Sequence, residues 1–400
     1  MTAALIFALT YVALAFGRVP GLRSDRVAAV IVGAALMVSF RVLSFARAEQ
    51  AVDGATIALL FGMMAISAAL EVSGVFALAG WQVTRRAHGP LALLVAVSVA
   101  AAVLSAIMIN DVVCLAFTPL VLTVTETLEC DPKPYLIALA TSSNVGSVAT
   151  ITGNPQNILI GSLSRIPYGA FAAELVPVAI VALALNVAVI WFVYGKELRK
   201  PFPKLEATLP PAVSRSAVWK GAVVSVVVVV AFALGAPPPL AAILGGSAML
   251  LSRATDPKLL YARIDWTLLA LFVGLFVVVA GLDESGVSMK LRNALAVLRV
   301  DTVFGMTVLA GILSNVVSNV PAVMVLKSSV LALPHPHTAW LTLAMASTLS
   351  GNLTLPGSLA TIIVVERARE RTHISFLDFV KVGAPSALLG ATFGALWLGR

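Results

Sequence analysis

Apolar stretches of nearly membrane-spanning length follow one another along the chain, separated by short polar loops. The clearest in the first half cover residues 2–16, 27–44, 55–72 and 172–194. A helix that crosses the hydrocarbon core of a bilayer needs about 20 apolar residues. The pattern therefore predicts an α-helical protein that crosses the membrane many times. The longest polar insert, residues 196–216, predicts a cytoplasmic linker between two halves.

Two further apolar stretches in the first half are interrupted by polar or helix-breaking residues. Residues 91–125 would form a helix of roughly 50 Å at 1.5 Å per residue, which is too long for one crossing. Asn110-Asp111 interrupts this stretch, so we predict a re-entrant helical hairpin with its tip at 107–112. Residues 135–163 contain Ser-Asn-Val-Gly and Gly-Asn-Pro clusters, which predict one crossing with an unwound middle, called the broken helix below.

The second half of the chain repeats the first at a shift of 212 residues. This shift aligns Leu-Glu-Val-Ser-Gly-Val at 70–75 with Leu-Asp-Glu-Ser-Gly-Val at 282–287, and Asp53 with Asp265. With small gaps, Asn110 aligns with Asn315. We predict two repeats, residues 1–195 and 217–400. The second repeat would have its hairpin at 302–333 and its broken helix at 338–365.

Each repeat is predicted to contain about five transmembrane helices and one re-entrant hairpin. Because five is an odd number, the second repeat would be inserted upside down. The basic residues support this topology, since most of them fall in loops that it places in the cytoplasm. Residues 290–299 are the exception, with three basic residues on the opposite side. The predicted fold class is an all-α polytopic membrane protein with two inverted repeats and discontinuous helices at the midplane.

Composition excludes other classes of protein. Of 400 residues, 60% are hydrophobic and only 12% are charged, whereas soluble chains average about a quarter charged. The net charge of +8 would suit nucleic acid, but the basic residues lie in loops between apolar segments, so lipid is the expected partner. Cys114 and Cys130 have no disulfide framework or metal-ligand spacing, and no nucleophile–base pairing is evident. We expect no enzyme, no metal and no cofactor other than H⁺ or Na⁺ as a coupling ion.

The hairpin tips and helix breaks predict a solute site. Inverted symmetry would bring all four to the bilayer midplane, where helix N-termini and amide or hydroxyl side chains can hold a polar solute, an anion or an ion. The predicted substrate-binding residues are Asn110, Asp111, Ser143, Asn144, Gly146, Asn154, Asn157, Asn315, Ser318, Asn319, Ser350, Gly351, Asn352 and Thr354.

Asp111 is the only acidic residue that this topology places in the middle of the membrane. An ionised carboxylate there costs at least ~2.5 to 3.5 kcal/mol, so it needs a proton, a cation or water. We predict that Asp111 couples transport to an ion or a proton. The alternative is that its carboxylate caps the second helix of the hairpin. Both roles are compatible with the sequence.

Three motifs resemble those of a known superfamily. Asn110-Asp111 followed by Thr118-Pro119 resembles the first hairpin of arsenite permeases, and the Gly-Asn-Pro-Gln-Asn motif at 153–157 is similar to a signature of arsenite- and P-protein-like members. The Gly-Ser-Leu-Ala-Thr motif at 357–361 is similar to a second-half motif of arsenite permeases. The chain therefore resembles the arsenite efflux permease and P-protein-like branch of the ion transporter superfamily, which is related to divalent-anion symporters and citrate transporters.

The resemblance implies a secondary active transporter of the inner (plasma) membrane that exports arsenite or antimonite in exchange for protons. It also implies a homodimer and an elevator-like motion. Two alternatives stay open, namely a Na⁺- or H⁺-coupled carrier of carboxylates or other anions, and a Na⁺/H⁺ antiporter. Ser143-Asn144-Val145 departs from the Ser-Asn-Thr of the divalent-anion symporters, which argues against Na⁺-coupled dicarboxylate transport. A cytoplasmic ATPase subunit is a further partner that stays open.

Overall fold

The computed structural model describes residues 2–16, 25–86, 89–199, 212–251, 256–296, 298–333 and 336–400. Every regular element in these ranges is a helix. The first half contains α1 (Thr2–Phe16), α2 (Arg26–Ser39), α3 (Phe45–Ala51), α4 (Gly54–Ser73), α5 (Val75–Arg86), α6 (Pro90–Ile107), α7 (Asn110–Thr127), α8 (Lys133–Ser147), α9 (Pro155–Ser164) and α10 (Tyr168–Val193).

The second half contains the same succession of elements. They are α11 (Arg215–Ala233), α12 (Pro238–Leu250), α13 (Pro257–Tyr261), α14 (Trp266–Glu284), α15 (Val287–Ala296), α16 (Val303–Val317), α17 (Asn319–Leu331), α18 (Pro336–Leu349), α19 (Leu359–Ala368) and α20 (Phe376–Leu398), with 3₁₀ turns at Ser350–Asn352 and Leu355–Gly357. A further 3₁₀ turn, Glu197–Arg199, lies in the predicted linker, of which residues 200–211 are outside the described residues.

Two ion pairs show that equivalent helices run in opposite directions. Arg263, just before α14, pairs with Glu71 at the end of α4. Arg47, in α3 before α4 begins, pairs with Glu284 at the end of α14 at 2.7 Å. Each helix therefore begins beside the end of its counterpart, so α4 and α14 are antiparallel. This arrangement confirms the predicted inversion of the two repeats.

Small residues let helices of the two inverted repeats pack closely against each other. Gly62 of α4 lies against the backbone of Ala242 in α12, and Gly274 of α14 lies equivalently against Val30 in α2. Further along the same pairs, Gly281 lies against Met37. Close backbone approach at glycine is the usual way in which helices pack inside a membrane, where lipid removes most of the hydrophobic driving force. Helices α10 and α20 also pack on each other across the repeat boundary.

The structure is that of a multi-pass membrane protein. Within the described residues, six helices are long and apolar enough to cross a bilayer: Gly54–Ser73, Pro90–Ile107, Tyr168–Val193, Arg215–Ala233, Trp266–Glu284 and Phe376–Leu398. Helices α1, α2 and α12 are apolar but shorter.

The predicted hairpins and broken helices correspond to pairs of shorter helices. The hairpin predicted at 91–125 comprises α6 and α7, with its tip at Met108 and Ile109, and the hairpin predicted at 302–333 comprises α16 and α17, with its tip at Ser318. The broken helix predicted at 135–163 comprises α8 and α9, and that at 338–365 comprises α18, α19 and the turns between them.

Two details differ from the sequence analysis. Helices α5 and α15, treated there as parts of polar loops, begin after left-handed Gly74 (φ 86°) and Gly286 (φ 71°), which end the preceding helices. The alignment of Asn110 with Asn315 is also wrong by four residues. Asn110 is the first residue of α7, whereas its counterpart at the start of α17 is Asn319. Helix α16 has 15 residues and its counterpart α6 has 18, so the alignment placed Asn315, in the last turn of α16, where the start of α17 belongs.

Replacing Gly62 by alanine should destabilise the protein. A Cβ there would overlap the backbone of Ala242, which is rigid, so we expect a loss of about 1–3 kcal/mol and a lower Tm. Thermal unfolding of the detergent-purified protein measures the change. Gly54→Ala is the matched control, because an added Cβ at this position in the same helix meets nothing within 4 Å. Equal Tm values for the two variants would contradict the proposed packing.

Candidate functional site

A cavity of about 260 Å³ lies where the two hairpin tips meet. The first tip contributes Asn110 and Asp111, and the second contributes Ser318 and Asn319. The other lining residues come from α1, α2, α14, α17 and the N-terminal ends of α9 and α19: Leu14, Arg26, Val27, Pro155, Gln156, Asp265, Thr267, Leu268, Leu271, Val320, Pro321, Ser358 and Leu359. Both repeats therefore build a single site.

Local sequence and tertiary hydrogen bonds hold the tips. Ser318 lies at φ 77° and ψ 160°, a region that costs a non-glycine residue about 1–3 kcal/mol, so surrounding contacts must hold it there. Pro321 follows in the first turn of α17, where its missing N–H leaves no helical bond unmade. Its carbonyl accepts a hydrogen bond from the Tyr11 hydroxyl at 3.1 Å. In the first hairpin, the Asn110 N–H donates to the Gly153 carbonyl at 3.0 Å, which joins the tip to the break between α8 and α9.

A chain of three buried amides connects the first tip to both broken helices. Asn110 Nδ2 donates to Asn144 Oδ1 at 3.0 Å, and Asn144 Nδ2 donates to Asn352 Oδ1 at 2.7 Å. Asn352 Nδ2 in turn donates to the Thr141 carbonyl at 3.0 Å. Leaving one of these groups unpaired in the interior would cost about 1–3 kcal/mol. We call these three asparagines the amide chain.

The N-caps of α9 and α19 cross between the repeats. Asn154, the N-cap of α9, donates to Thr348 Oγ1 in the second broken helix at 3.2 Å. Ser358, the N-cap of α19, donates to Asn144 Oδ1 in the first broken helix at 3.0 Å. These reciprocal bonds fix the two helix breaks relative to each other.

The remaining predicted polar residues of the first repeat lie behind the cavity. Ser143 Oγ is 2.8 Å from Ser105 Oγ and donates to the Asn110 carbonyl at 3.3 Å. Asn157 Nδ2 donates to the carbonyls of Ser147 and Thr150 at 2.9 and 3.0 Å. These side chains satisfy backbone groups that the helix break leaves free.

In the second repeat, Asn315 Nδ2 donates to the Ser350 carbonyl at 2.8 Å, and Asn315 Oδ1 accepts from Thr354 Oγ1 at 2.8 Å. These bonds attach the second hairpin to the second broken helix. The two predicted glycines allow close packing, since Gly146 lies against the backbone of Ala102 and Gly351 lies beside the Asn144 and Asn319 side chains.

The structure thus divides the predicted site residues into two groups. Asn110, Asp111, Ser318 and Asn319 line the cavity. The others form the hydrogen-bonded frame behind it: Ser143, Asn144, Gly146, Asn154, Asn157, Asn315, Ser350, Gly351, Asn352 and Thr354. Sequence reasoning missed the cavity-lining residues Arg26, Gln156, Asp265 and Thr267, whereas Ser358 belongs to the polar cluster of the second helix break. Gln156 stands inside the Gly-Asn-Pro-Gln-Asn motif and Asp265 in the repeat alignment, so those two signals were available.

Several polar atoms at the cavity have no partner within the described residues. Asn110 Oδ1 and Asn319 Oδ1, one from each tip, are buried acceptors without a hydrogen bond. The Asp111 carboxylate also makes no hydrogen bond there, and α7 has no side-chain cap, so the capping alternative for Asp111 is not seen. Unpaired buried acceptors are costly, and a bound solute with donors would satisfy them.

The cavity joins the hairpin tips to the beginnings of two helices. It reaches from the tips to the beginnings of α2 and α14, where Arg26 and Thr267 lie. The equivalent positions in the other repeat, Pro238 and Ala55, line a separate cavity of about 390 Å³ that none of the tip residues lines. The equivalent regions of the two repeats therefore line different cavities, and only the cavity beside Arg26 and Thr267 also contains the tip residues.

Comparison with known proteins identifies the family. The sequence pattern described as citrate transporter matches residues 11–350. The chain belongs to the citrate transporter family. This result confirms the predicted superfamily, and it shows that this family member is a membrane transporter and not an enzyme.

Individual relatives extend the comparison. This citrate transporter family member is 29% identical to the silicon efflux transporter LSI3 of Oryza sativa subsp. japonica, over 98% of this chain and 96% of that protein. It is 24% identical to the putative transporter arsB of Dictyostelium discoideum, over 92% of this chain and 86% of that protein. The crystal structure of the Alcanivorax borkumensis YdaH transporter has a similar fold, with a TM-score of 0.59 at 15% identity over 100% of this chain and 96% of that one.

Replacing Asn144 by alanine should destabilise the protein through the amide chain. The change removes the acceptor for Asn110 and Ser358 and the donor to Asn352, so we expect a loss of about 1–3 kcal/mol or more in unfolding free energy. Thermal unfolding measures it. Ser314→Ala is the control, because the Ser314 hydroxyl is buried without a partner and its removal should leave Tm unchanged or raise it. A larger drop for Ser314→Ala than for Asn144→Ala would refute the assignment.

Proposed function

We propose that this transporter exports a small neutral hydroxide, with arsenite and antimonite as the first candidates, in exchange for protons. The observation that carries the proposal is the hydrogen-bonding character of the cavity. Its unpaired groups, Asn110 Oδ1 and Asn319 Oδ1, are acceptors, and the Asp111 carboxylate is an acceptor when ionised. A ligand that donates hydrogen bonds would satisfy these acceptors, and it could also accept from Asn319 Nδ2 or the Arg26 guanidinium in the same lining.

A neutral hydroxide satisfies these acceptors better than a carboxylate does. Each hydroxyl group of arsenous acid can donate one hydrogen bond and accept others, as a serine hydroxyl does. An ionised carboxylate of citrate only accepts, so it would leave the two amide oxygens unpaired. The lining also carries Asp111 and Asp265 against the single guanidinium of Arg26, a charge balance that opposes a multiply charged anion.

The names of two relatives are compatible with this class of solute. One relative is named a silicon efflux transporter and another a putative transporter arsB. Silicic acid is a small neutral hydroxide of silicon. Silicic acid is therefore a further candidate substrate for this chain.

Competition between solute and proton at Asp111 would produce exchange. The ionised carboxylate can accept a hydrogen bond from a solute hydroxyl, whereas the protonated form loses part of that capacity. Solute binding therefore favours release of the proton, and protonation favours release of the solute. If the carrier reorients when it holds either the solute or the proton, but not when it holds neither, solute efflux is coupled to proton entry.

A second candidate is a coupled carrier of a carboxylate or another anion. The N-terminal ends of α9 and α19 face the cavity, and the positive ends of helix dipoles favour an anion. The family description, citrate transporter, points the same way.

Flux measurements in proteoliposomes test the proposal. An acidic lumen should drive arsenite accumulation by the wild-type protein, and a protonophore should abolish it. Asp111→Asn cannot release the coupling proton, so we expect acid-driven accumulation to fall at least about ten-fold. Asp301→Asn, which removes an exposed carboxylate paired with Arg299, is the control and should transport normally.

The same vesicles distinguish the alternatives. Antimonite and silicic acid should compete with arsenite, whereas citrate and succinate should not. Undiminished acid-driven arsenite flux in Asp111→Asn would remove the coupling role of this residue. Uptake of citrate or succinate, with no arsenite flux, would replace the proposal by the anion carrier.

A further inference from the structure

Asp265 is a second carboxylate in the cavity, and it has an equivalent residue elsewhere in the fold. Asp265 and Asp53 each cap the helix that follows, α14 and α4. Asp265 Oδ1 accepts from the Leu268 N–H at 2.9 Å, and Asp53 Oδ1 accepts from the Ala55 N–H at 2.9 Å. Each carboxylate therefore acts as a helix N-cap in its own repeat.

The second carboxylate oxygens differ. Asp53 Oδ2 accepts a hydrogen bond from Ser162 Oγ at 2.9 Å. Asp265 Oδ2 has no hydrogen bond to the part of the chain that the structure describes, and Asp265 lines the cavity that also contains Asp111. Helix capping accounts for one oxygen of Asp265 and leaves the other available to the cavity.

We propose that Asp265 relays the coupling proton between Asp111 at the hairpin tip and water at the mouth of the cavity beside Arg26. The proposal rests on the proton exchange proposed above and adds its route on the cytoplasmic side. Asp111 lies at the first tip, whereas Arg26 and Asp265 lie at the beginnings of α2 and α14. The cavity is large enough for several water molecules between them.

The cavity lining carries two carboxylates and one guanidinium. With Asp111 and Asp265 ionised, the guanidinium of Arg26 leaves one net negative charge, and one proton on either carboxylate makes the lining neutral. Asp265 is exposed whereas Asp111 is half-buried, so Asp265 can exchange a proton with water that Asp111 reaches only through the cavity. Near the beginning of α14, Arg263 is already paired with Glu71 of α4 and so does not change this balance.

The relay is a transfer of one proton in two steps. Asp111 loses its proton through cavity water to the ionised Asp265, so Asp111 becomes a carboxylate and Asp265 a carboxylic acid. Asp265 then gives the proton to water at the mouth and returns to its ionised form. No bond between heavy atoms changes, and Asp111 is left ready to accept a hydrogen bond from the solute.

Two transport assays on the full-length protein separate the relay from solute binding. Acid-driven arsenite accumulation requires net proton movement, whereas counterflow of radiolabelled against unlabelled arsenite does not. In Asp265→Asn we expect the ratio of driven flux to counterflow to fall at least about ten-fold. Asparagine caps helices as well as aspartate does, so α14 should be preserved. Asp265→Ser, a second capping residue without a carboxylate, should behave in the same way.

Asp53→Asn is the matched control, because it makes the same change at the equivalent helix cap outside the cavity. Its ratio of driven flux to counterflow should equal that of the wild type. Equal losses of driven flux and counterflow in both Asp265 variants would overturn the relay, and so would unchanged driven flux. If the wild-type protein shows no acid-driven accumulation, the proposed proton exchange is wrong and the relay falls with it. This outcome is measured on the wild type alone, so it is distinguished from failure of the relay only.

Discussion

The need to satisfy unwound backbone inside a membrane governs this structure. Hydrocarbon offers no hydrogen bonds, so a helix break at mid-depth survives only where protein groups or cavity water meet its free N–H and carbonyl groups. Here those partners are mainly asparagine, serine and threonine side chains, and the amide chain of Asn110, Asn144 and Asn352 is its centre. The polar residues that a soluble protein would place on its surface are here concentrated in the most buried layer.

The inverted repeats supply these partners reciprocally. Asn154 of the first repeat bonds to the second broken helix, and Ser358 of the second repeat bonds to the first. These cross-repeat bonds join the two breaks, so the two halves pack as one unit despite their common architecture. The same reciprocity couples the breaks mechanically, because displacement of one requires the cross-repeat bonds to be remade.

Symmetry in the fold coexists with asymmetry in the site. The two aspartate helix caps are equivalent in sequence and local geometry, yet only Asp265 faces the cavity at the tips. The hairpins differ as well, since the first carries Asp111 beside its amide and the second carries Val320. The cavity at the junction is therefore asymmetric, because Asp111 and Asp265 line it and their counterparts in the other repeat either lack a carboxylate or lie outside it.

Local sequence determined the helices, their breaks and the duplication, because stretch length, glycine, proline and polar clusters act over a few residues. It also determined the set of polar residues at the midplane. Tertiary structure decided which of these line the cavity and which, like Asn144 and Asn315, support it, because that depends on contacts between residues about 200 positions apart. It likewise decided that Asn319, not Asn315, is the counterpart of Asn110, and it brought Arg26 and Asp265 to the site. Arg26 and Asp265 stand at the beginnings of helices, where hydrophobic periodicity does not indicate which surface a side chain faces. Only the packing of α2 against α14 shows that both line the cavity.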